Sequence, residues 1–143
     1  SSDVCSSDLT INADQKLAKK LDVQVGEPLI KLSRLRLADE IPVVLEDTYF
    51  VQRKYSKLLE YDLNNFGLYK LLETEFNVHS TRAEERFRAC ELTDQESILL
   101  LCNKGSYGLV VQRTLYQDEE IVCWSNLVSK GDIFEFNVVL YTN

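Results

Sequence analysis

Hydrophobic and polar residues alternate along residues 29–51, LIKLSRLRLADEIPVVLEDTYFV. This alternation is typical of β-strands, and the Ala-Asp-Glu-Ile-Pro stretch within it predicts that two strands are joined into a hairpin. Because side chains along a strand point alternately to the two faces, Arg34 and Arg36 share a face with Ile30 and Leu32. The pattern therefore predicts two arginines on an otherwise apolar face of a sheet.

The length of the hairpin loop decides which residues lie opposite these arginines. A three-residue loop places Glu46 opposite Arg34 and Val44 opposite Arg36, whereas a two-residue loop places Leu45 opposite Arg34. Guanidinium groups bind carboxylates and phosphates through paired hydrogen bonds, so this Arg-x-Arg pattern with an acceptor across the strand is a candidate floor for an anion site. A cross-strand ion pair on a half-solvated sheet explains the same residues without a ligand, and the hairpin alone favours that structural explanation.

Outside the hairpin, the periodicity predicts further elements and an α+β fold. Helices are expected over residues 12–21, 55–63, 66–76 and from Thr93 onwards, and strands over residues 78–92, 107–116, 121–129 and 133–140. Short connections between them favour a mainly antiparallel sheet with helices packed on it. Residues 1–10 repeat Ser-Ser-Asp without an apolar period, so we expect a flexible or non-native leader there and one domain over residues 11–143.

Composition narrows the classes of protein that fit. The chain has 143 residues, a net charge of −7 and 45% hydrophobic residues, which suits one compact domain in the cytoplasm. The acidic balance argues against binding DNA through this segment, because phosphate contacts need clustered basic residues. Four cysteines without C-x-x-C spacing and a single histidine predict reduced thiols and neither a zinc site nor another cofactor. The sequence has no apolar run of the roughly 20 residues that a membrane span requires.

Several separated motifs resemble the UTRA domain, the effector-binding half of GntR/HutC-family bacterial transcription regulators. In order they are Gly26-Glu27-Pro28, Arg34-Leu-Arg-Leu-Ala-Asp, Leu68-Tyr69-x-Leu-Leu, Thr81-Arg-Ala-Glu, Arg113-Thr and Gly131-Asp-x-Phe-x-Phe. The resemblance implies a chorismate-lyase-like fold, a homodimer and sensing of a small anionic effector such as a sugar phosphate. It also implies that DNA is bound only through a winged helix-turn-helix domain, which is absent from these residues.

The resemblance assigns effector-binding roles to particular side chains. Arg34 and Arg36 match the paired arginines that bind the anionic group, and Glu46 matches the glutamate that binds a hydroxyl or amine. Gly67 stands where relatives often have a serine, so a hydroxyl contact is lost while a backbone N–H contact remains, and Tyr69 follows within the same motif.

Two further positions depart from the pattern of relatives. Sugar-phosphate-binding relatives have a glutamate and an aromatic residue where this chain has Cys123 and Ser129, which implies a different effector. Cys123 is a candidate sensor thiol, although a buried strand cysteine is the simpler explanation.

Three functions fit these sequence features, and the leading one is a non-catalytic ligand sensor. A chorismate-lyase-like enzyme is the alternative, and it is weaker because the sequence offers no evident nucleophile and base pair. A dimerisation module with a vestigial pocket is the third.

Overall fold

A computed structural model describes residues 2–64, 67–132, 135 and 137–142, with the backbone alone for residues 2–6. Within these residues, six antiparallel strands form one sheet in the order β1-β2-β3-β6-β5-β4. The strands are β1 Ser2–Asn12, β2 Pro28–Ala38, β3 Ile41–Val51, β4 Arg82–Glu91, β5 Tyr107–Gln117 and β6 Glu120–Lys130. The helices are α1 Gln15–Leu21, α2 Gln52–Tyr55, α3 Leu68–Glu75 and α4 Asp94–Leu99, with a 3₁₀ turn at Ser56–Glu60. The predicted α+β class is confirmed.

Helices cover both faces of the sheet. On the face that we call the α3 face, Leu68 and Leu72 of α3 pack with Ile30, Leu32 and Phe50 of the first hairpin. On the opposite face, the α1 face, separate apolar clusters lie under α1 and beside α4. Among the described residues, no helix is both long enough and apolar enough to cross a membrane.

The β2–β3 hairpin has a two-residue loop and a bulge. Asp39 and Glu40 have φ values of 50° and 65°, the left-handed conformation that a type I′ turn requires at both central positions. Val43 is an extra residue on β3, because the register shifts between the pairs on either side of it. This shift brings Arg34 opposite Glu46, the pairing that a three-residue loop alone was expected to give.

Side chains cap two of the helices that the periodicity predicts. Asp14 Oδ1 accepts a hydrogen bond from the Leu17 N–H at 2.8 Å, which caps α1. Thr93 and Glu96 form a reciprocal capping box at the start of α4.

The N-terminal residues differ from the expected flexible leader. Residues 2–12 form β1, which pairs with β2 from Ser2 opposite Leu37 to Asn12 opposite Pro28. The expectation that residues 1–10 lie outside the fold is therefore wrong for residues 2–10. An edge strand is held by backbone hydrogen bonds, so a polar sequence can pair there without an apolar pattern.

The predicted last strand, over residues 133–140, is not seen in the part of that segment that the structure describes. Residue 135 and residues 137–142 have no strand assignment, and residues 133, 134 and 136 lie outside the described residues. Alternation indicates which side chains share a face, but a strand also needs a neighbour to accept its backbone hydrogen bonds. The predicted strand over 78–92 is likewise shorter, and begins at Arg82.

The first hairpin turn offers a test of backbone conformation. Replacing Glu40 by Gly removes a side chain from a left-handed position and should stabilise the fold by about 0.5–1 kcal/mol. Glu119→Gly in the β5–β6 loop is the matched control, because positive φ there occurs at Asp118 and not at Glu119. The control should instead destabilise by about 0.4–1 kcal/mol, since glycine adds freedom to the unfolded chain. Urea denaturation measures both, and equal effects would contradict the turn assignment.

Candidate functional site

Two arginines of β2 converge on one buried carboxylate of β3. Arg34 Nη2 lies 3.0 Å from Glu46 Oε2, and Arg36 Nη2 lies 2.7 Å from Glu46 Oε1. The side chains of Arg34 and Glu46 are 5% and 0% exposed, while Arg36 is 32% exposed. We call these three residues the arginine–glutamate cluster. Two guanidinium groups and one carboxylate leave it with one net positive charge, and Arg36 is the member that faces solvent.

Two buried hydroxyl groups extend this cluster across the sheet. Thr48 Oγ1 donates to Glu46 Oε2 at 3.1 Å and lies 2.9 Å from Ser125 Oγ. Because an ionised carboxylate can only accept, the Thr48 proton is directed to Glu46, and Ser125 therefore donates to Thr48. These bonds fix the orientation of the carboxylate. Alternation along β3 is enough to predict that Thr48 shares a face with Glu46. Ser125 is its neighbour only because β3 pairs with β6.

Arg113 of β5 continues the same polar row. Its register partners are Ser125 on β6 and Glu85 on β4, so polar residues from β3 to β4 stand side by side on the α3 face. Arg113 Nε donates to Glu85 Oε2 at 2.7 Å. Burial lowers the pKa of Arg113, but Glu85 and Tyr69 outweigh it and the pKa is raised. Sequence reasoning noted Arg113 only as part of a family motif and missed its place in the site.

Tyr69 lies in the first turn of α3, and its pKa is influenced by Glu46 of the cluster. Leu68, 2% exposed, anchors the helix in the core, which leaves the neighbouring Tyr69 39% exposed at its rim. Burial raises the pKa of Tyr69, and the nearby Glu46 and Cys123 raise it further while Arg113 opposes them. Tyr69 thus keeps its proton at neutral pH. A cavity of about 270 Å³ adjoins its side chain, with Leu115 and His79 among the lining residues.

Gly67 is the residue that precedes α3. It has an extended backbone, and its carbonyl accepts the first intrahelical bond from the Leu71 N–H at 3.0 Å. The N–H groups of residues 68–70 therefore come before the first intrahelical bond, as at any helix start. The expected backbone contact between Gly67 and an effector stays a prediction. The neighbouring residues 65 and 66 lie outside the described residues.

Cys123 is a buried thiol beside Glu46. It is 1% exposed, and burial together with Glu46 raises its pKa to about 12 against the opposing influence of Arg113 and Arg34. A thiol with that pKa is protonated at neutral pH, so it is a poor nucleophile. The structure favours the buried-cysteine explanation, and Cys90, Cys102 and Cys123 are all free thiols.

Ser129 lies further along the same face. It pairs with Val44, which in turn pairs with Arg36, so two strand spacings of about 4.8 Å each separate Ser129 from Arg36. Its side chain is buried, and Oγ donates to the Leu109 carbonyl at 3.4 Å. The structure thus brings Arg34, Arg36, Glu46, Tyr69 and Cys123 into one neighbourhood, with Ser129 at its margin.

Two larger cavities, of about 400 Å³ each, lie on the opposite α1 face. Asp47 and Asn126 line both. Asp47 is already bound by the Ser33 hydroxyl at 2.6 Å and by Lys31 at 3.9 Å. Arg34 and Glu46 are themselves among the residues that line the second of these cavities. Within the described part of the chain, no group of His, Cys, Asp and Glu side chains is arranged to hold a metal ion.

Known structures define the class of fold. The effector domain of PhnF from Mycobacterium smegmatis superimposes with a TM-score of 0.91 and 24% identity, covering 98% of this chain and 86% of that one. This likeness confirms the chorismate-lyase-like α+β fold.

The family follows from the sequence comparison. A sequence model of the UTRA domain matches residues 2–135, and the chain belongs to this family. It is 28% identical over 139 residues to the HTH-type transcriptional repressor PhnF of Mycolicibacterium smegmatis, covering 96% of the chain and 56% of the relative. It is 25% identical over 127 residues to the HTH-type transcriptional repressor NagR of Bacillus subtilis, covering 88% and 52%. The chain spans about half the length of these curated relatives.

The pKa of Cys123 predicts slow chemical modification. At pH 8, iodoacetamide should label Cys123 at least tenfold more slowly than Cys102, because the thiolate is scarce and the side chain is buried. Peptide mass spectrometry over time measures both sites in one sample. Equal labelling rates in the folded protein would show that Cys123 is accessible and ionised.

Proposed function

We propose that this domain senses a small anionic effector, a sugar phosphate or a similar compound, for a bacterial transcription regulator of the GntR/HutC family. DNA would be bound by a helix-turn-helix domain outside these 143 residues. Membership of the UTRA family and the similarity to the transcriptional repressors PhnF and NagR support the regulator. The arginine–glutamate cluster beside the start of α3 is the observation that carries the effector site.

The charges of the cluster suit an anion that carries a hydrogen-bond donor. Arg36 reaches solvent and can bind an anionic group, while the start of α3 offers backbone N–H groups to the same anion. Glu46 can accept a hydrogen bond from a hydroxyl or amine of the effector. The net charge of one favours a bound anion over a neutral molecule.

Binding would change DNA affinity by linkage. A ligand shifts an equilibrium between two states only by its difference in affinity for them, and coupling of about 1–3 kcal/mol is typical. The curated relatives PhnF and NagR are transcriptional repressors, so we propose that the domain binds its effector without turning it over. We therefore prefer the non-catalytic sensor to the chorismate-lyase-like enzyme as the function of this domain.

Arg36→Ala tests the effector site. We expect an affinity loss of about 2–3 kcal/mol, the lower part of the range for buried charge pairs because the side chain is 32% exposed. Folding should be nearly unchanged, since Arg34 still pairs with Glu46. A thermal-shift screen with sugar phosphates, phosphonates and free sugars first finds the ligand, because 100 times its Kd stabilises by about 2.7 kcal/mol. Calorimetry then compares the variant with the wild type.

Arg53→Ala is the matched control for Arg36→Ala. Arg53 pairs with Glu27 at 3.2 Å on the surface and is 60% exposed, so its loss should change neither effector affinity nor folding by more than about 1 kcal/mol. If Arg36→Ala destabilises the free domain and leaves effector affinity unchanged, the arginines are cross-strand partners only.

We also propose that the domain forms a homodimer. Regulators that read paired half-sites on DNA use a two-fold axis, which a sensing domain can supply. Sedimentation velocity at tens of micromolar should give the mass of two chains, twice 16.5 kDa. A species of 16.5 kDa across that range would rule out this arrangement.

A further inference from the structure

A row of polar side chains crosses the α1 face of the sheet. Ser33, Asp47, Asn126, Gln112 and Arg86 are successive register partners on β2, β3, β6, β5 and β4. The three central side chains of this row line the first of the two cavities of about 400 Å³, which residues of both α1 and α4 also line. They span two strand spacings, about 10 Å. The row therefore forms the polar floor of a cavity on this face.

Two carboxylates of this cavity already have partners in the protein. Asp47 Oδ1 accepts a hydrogen bond from the Ser33 hydroxyl at 2.6 Å, and Asp47 Oδ2 lies 3.9 Å from Lys31 Nζ. Glu96 Oε1 accepts a hydrogen bond from the Thr93 N–H at 2.9 Å. Because these oxygens are partly occupied, the two acidic groups supply only part of the binding capacity of the cavity.

Two carboxamides supply the rest of that capacity. Gln112 Nε2 donates to Asn126 Oδ1 at 3.4 Å, which is longer than the usual range of about 2.7–3.2 Å. Among the described residues, this is the only hydrogen bond that either carboxamide makes. Each carboxamide has an oxygen that accepts and an NH₂ group with two donors. Both side chains are half-buried, so their remaining groups need a partner that enters from the cavity, either water or a ligand.

The donors and acceptors along this floor suit hydroxyl groups. The Asp47 carboxylate accepts, while the carboxamides of Asn126 and Gln112 both donate and accept. A hydroxyl group donates through its hydrogen and accepts through its oxygen, so it pairs with any of the three side chains. A compound with several hydroxyl groups matches this mixed row, whereas a group that only donates or only accepts matches part of it.

The charges around the cavity disfavour an anion. Four acidic and two basic residues line it, namely Asp14, Asp47, Glu91, Glu96, Lys16 and Arg88. An anion would therefore meet an excess of negative charge. The ion pair of Lys31 with Asp47 reduces that excess, which also weakens the attraction for a cation.

A flat aromatic ligand is disfavoured as well, because the nearby rings are covered. Trp124 is 3% exposed, and the Nζ atoms of Lys16 and Lys20 lie 5.8 and 5.9 Å from its ring centroid. Lys31 Nζ lies 5.9 Å from the ring centroid of Tyr49. These rings offer little open face on which a ligand ring could stack.

We propose that this cavity binds a neutral polyhydroxylated compound, such as a sugar or a cyclitol, through Asp47, Asn126 and Gln112. Its volume of about 400 Å³ lies within the range of small-molecule sites. None of the residues of the arginine–glutamate cluster lines it. The polyol site is thus separate from the proposed anion site and does not depend on the cluster binding an effector.

Asn126→Leu and Gln112→Leu test the site, because leucine keeps a similar size and removes the hydrogen bonds. NMR titration of the intact 143-residue chain with glucose, myo-inositol and glycerol, each up to about 50 mM, measures dissociation constants in the millimolar range. The polyol that binds the wild type most tightly should bind each variant about fivefold more weakly, the effect of losing a neutral hydrogen bond. Gln52→Leu is the matched control and should leave the affinity unchanged, because Gln52 begins α2 and lines neither of the larger cavities.

The side-chain NH₂ resonances of Asn126 and Gln112 locate the ligand in the wild type, so this readout does not require either variant to fold. Both resonances should shift when the polyol is added. Sodium acetate and methylammonium chloride provide an anion and a cation without hydroxyl groups, and they should leave both resonances unchanged.

The outcomes also separate this site from the proposed effector site. If none of the three polyols shifts the two NH₂ resonances, or if both leucine variants keep the affinity of the wild type, the site is wrong. If acetate or methylammonium binds there as tightly as the polyols, the ligand class is wrong. If Arg36→Ala abolishes polyol binding, the polyol occupies the arginine–glutamate cluster and the cavity is not its site. An Arg36→Ala variant that loses its anionic effector and still binds the polyol would show two separate sites, as we expect.

Discussion

The buried carboxylate of Glu46 is the constraint on which the rest of the site depends. Removing an ionised carboxylate from water costs several kcal/mol unless hydrogen bonds and an opposite charge compensate. Glu46 receives an arginine on each oxygen and the Thr48 hydroxyl on one of them. These contacts require Arg34 to stand directly opposite Glu46. The bulge at Val43 produces that register after a two-residue turn, so the turn, the bulge and the charged cluster belong to one arrangement.

The polar row beyond Glu46 connects the centre of the sheet with its edge. Thr48, Ser125, Arg113 and Glu85 are successive register partners on strands β3, β6, β5 and β4. Tyr69, in the first turn of α3, contributes to the raised pKa of Arg113 in this row. A change in the position of α3 would therefore alter the surroundings of both the buried cluster and the exposed edge strand. For a domain that reports an effector to another part of a regulator, such a connection provides a physical route between the site and the surface.

Local chemistry was predictable wherever a few neighbouring residues decide the conformation. The Asp14 cap, the Thr93–Glu96 capping box and the β2–β3 hairpin follow from short-range hydrogen bonding and alternation, and all are observed. The expectations for the Ser-Ser-Asp repeat and for residues 137–140 of the predicted last strand were wrong for opposite reasons. The polar segment pairs as β1 because β2 offers it an open edge, whereas residues 137–142 have no strand partner in the structure despite their apolar character.

By itself the sequence determined that Arg34, Arg36, Glu46 and Thr48 share a face of one hairpin once the register is given, because side chains alternate with a period of two. The tertiary structure decided that Ser125 and Arg113 stand beside these residues. Alternation predicts which face of a strand a side chain lies on, but it does not predict which strands are neighbours. The order β3-β6-β5-β4 brings together residues that are far apart in the chain. Ser125 and Thr48, 77 residues apart, become hydrogen-bonded only when that order closes the sheet.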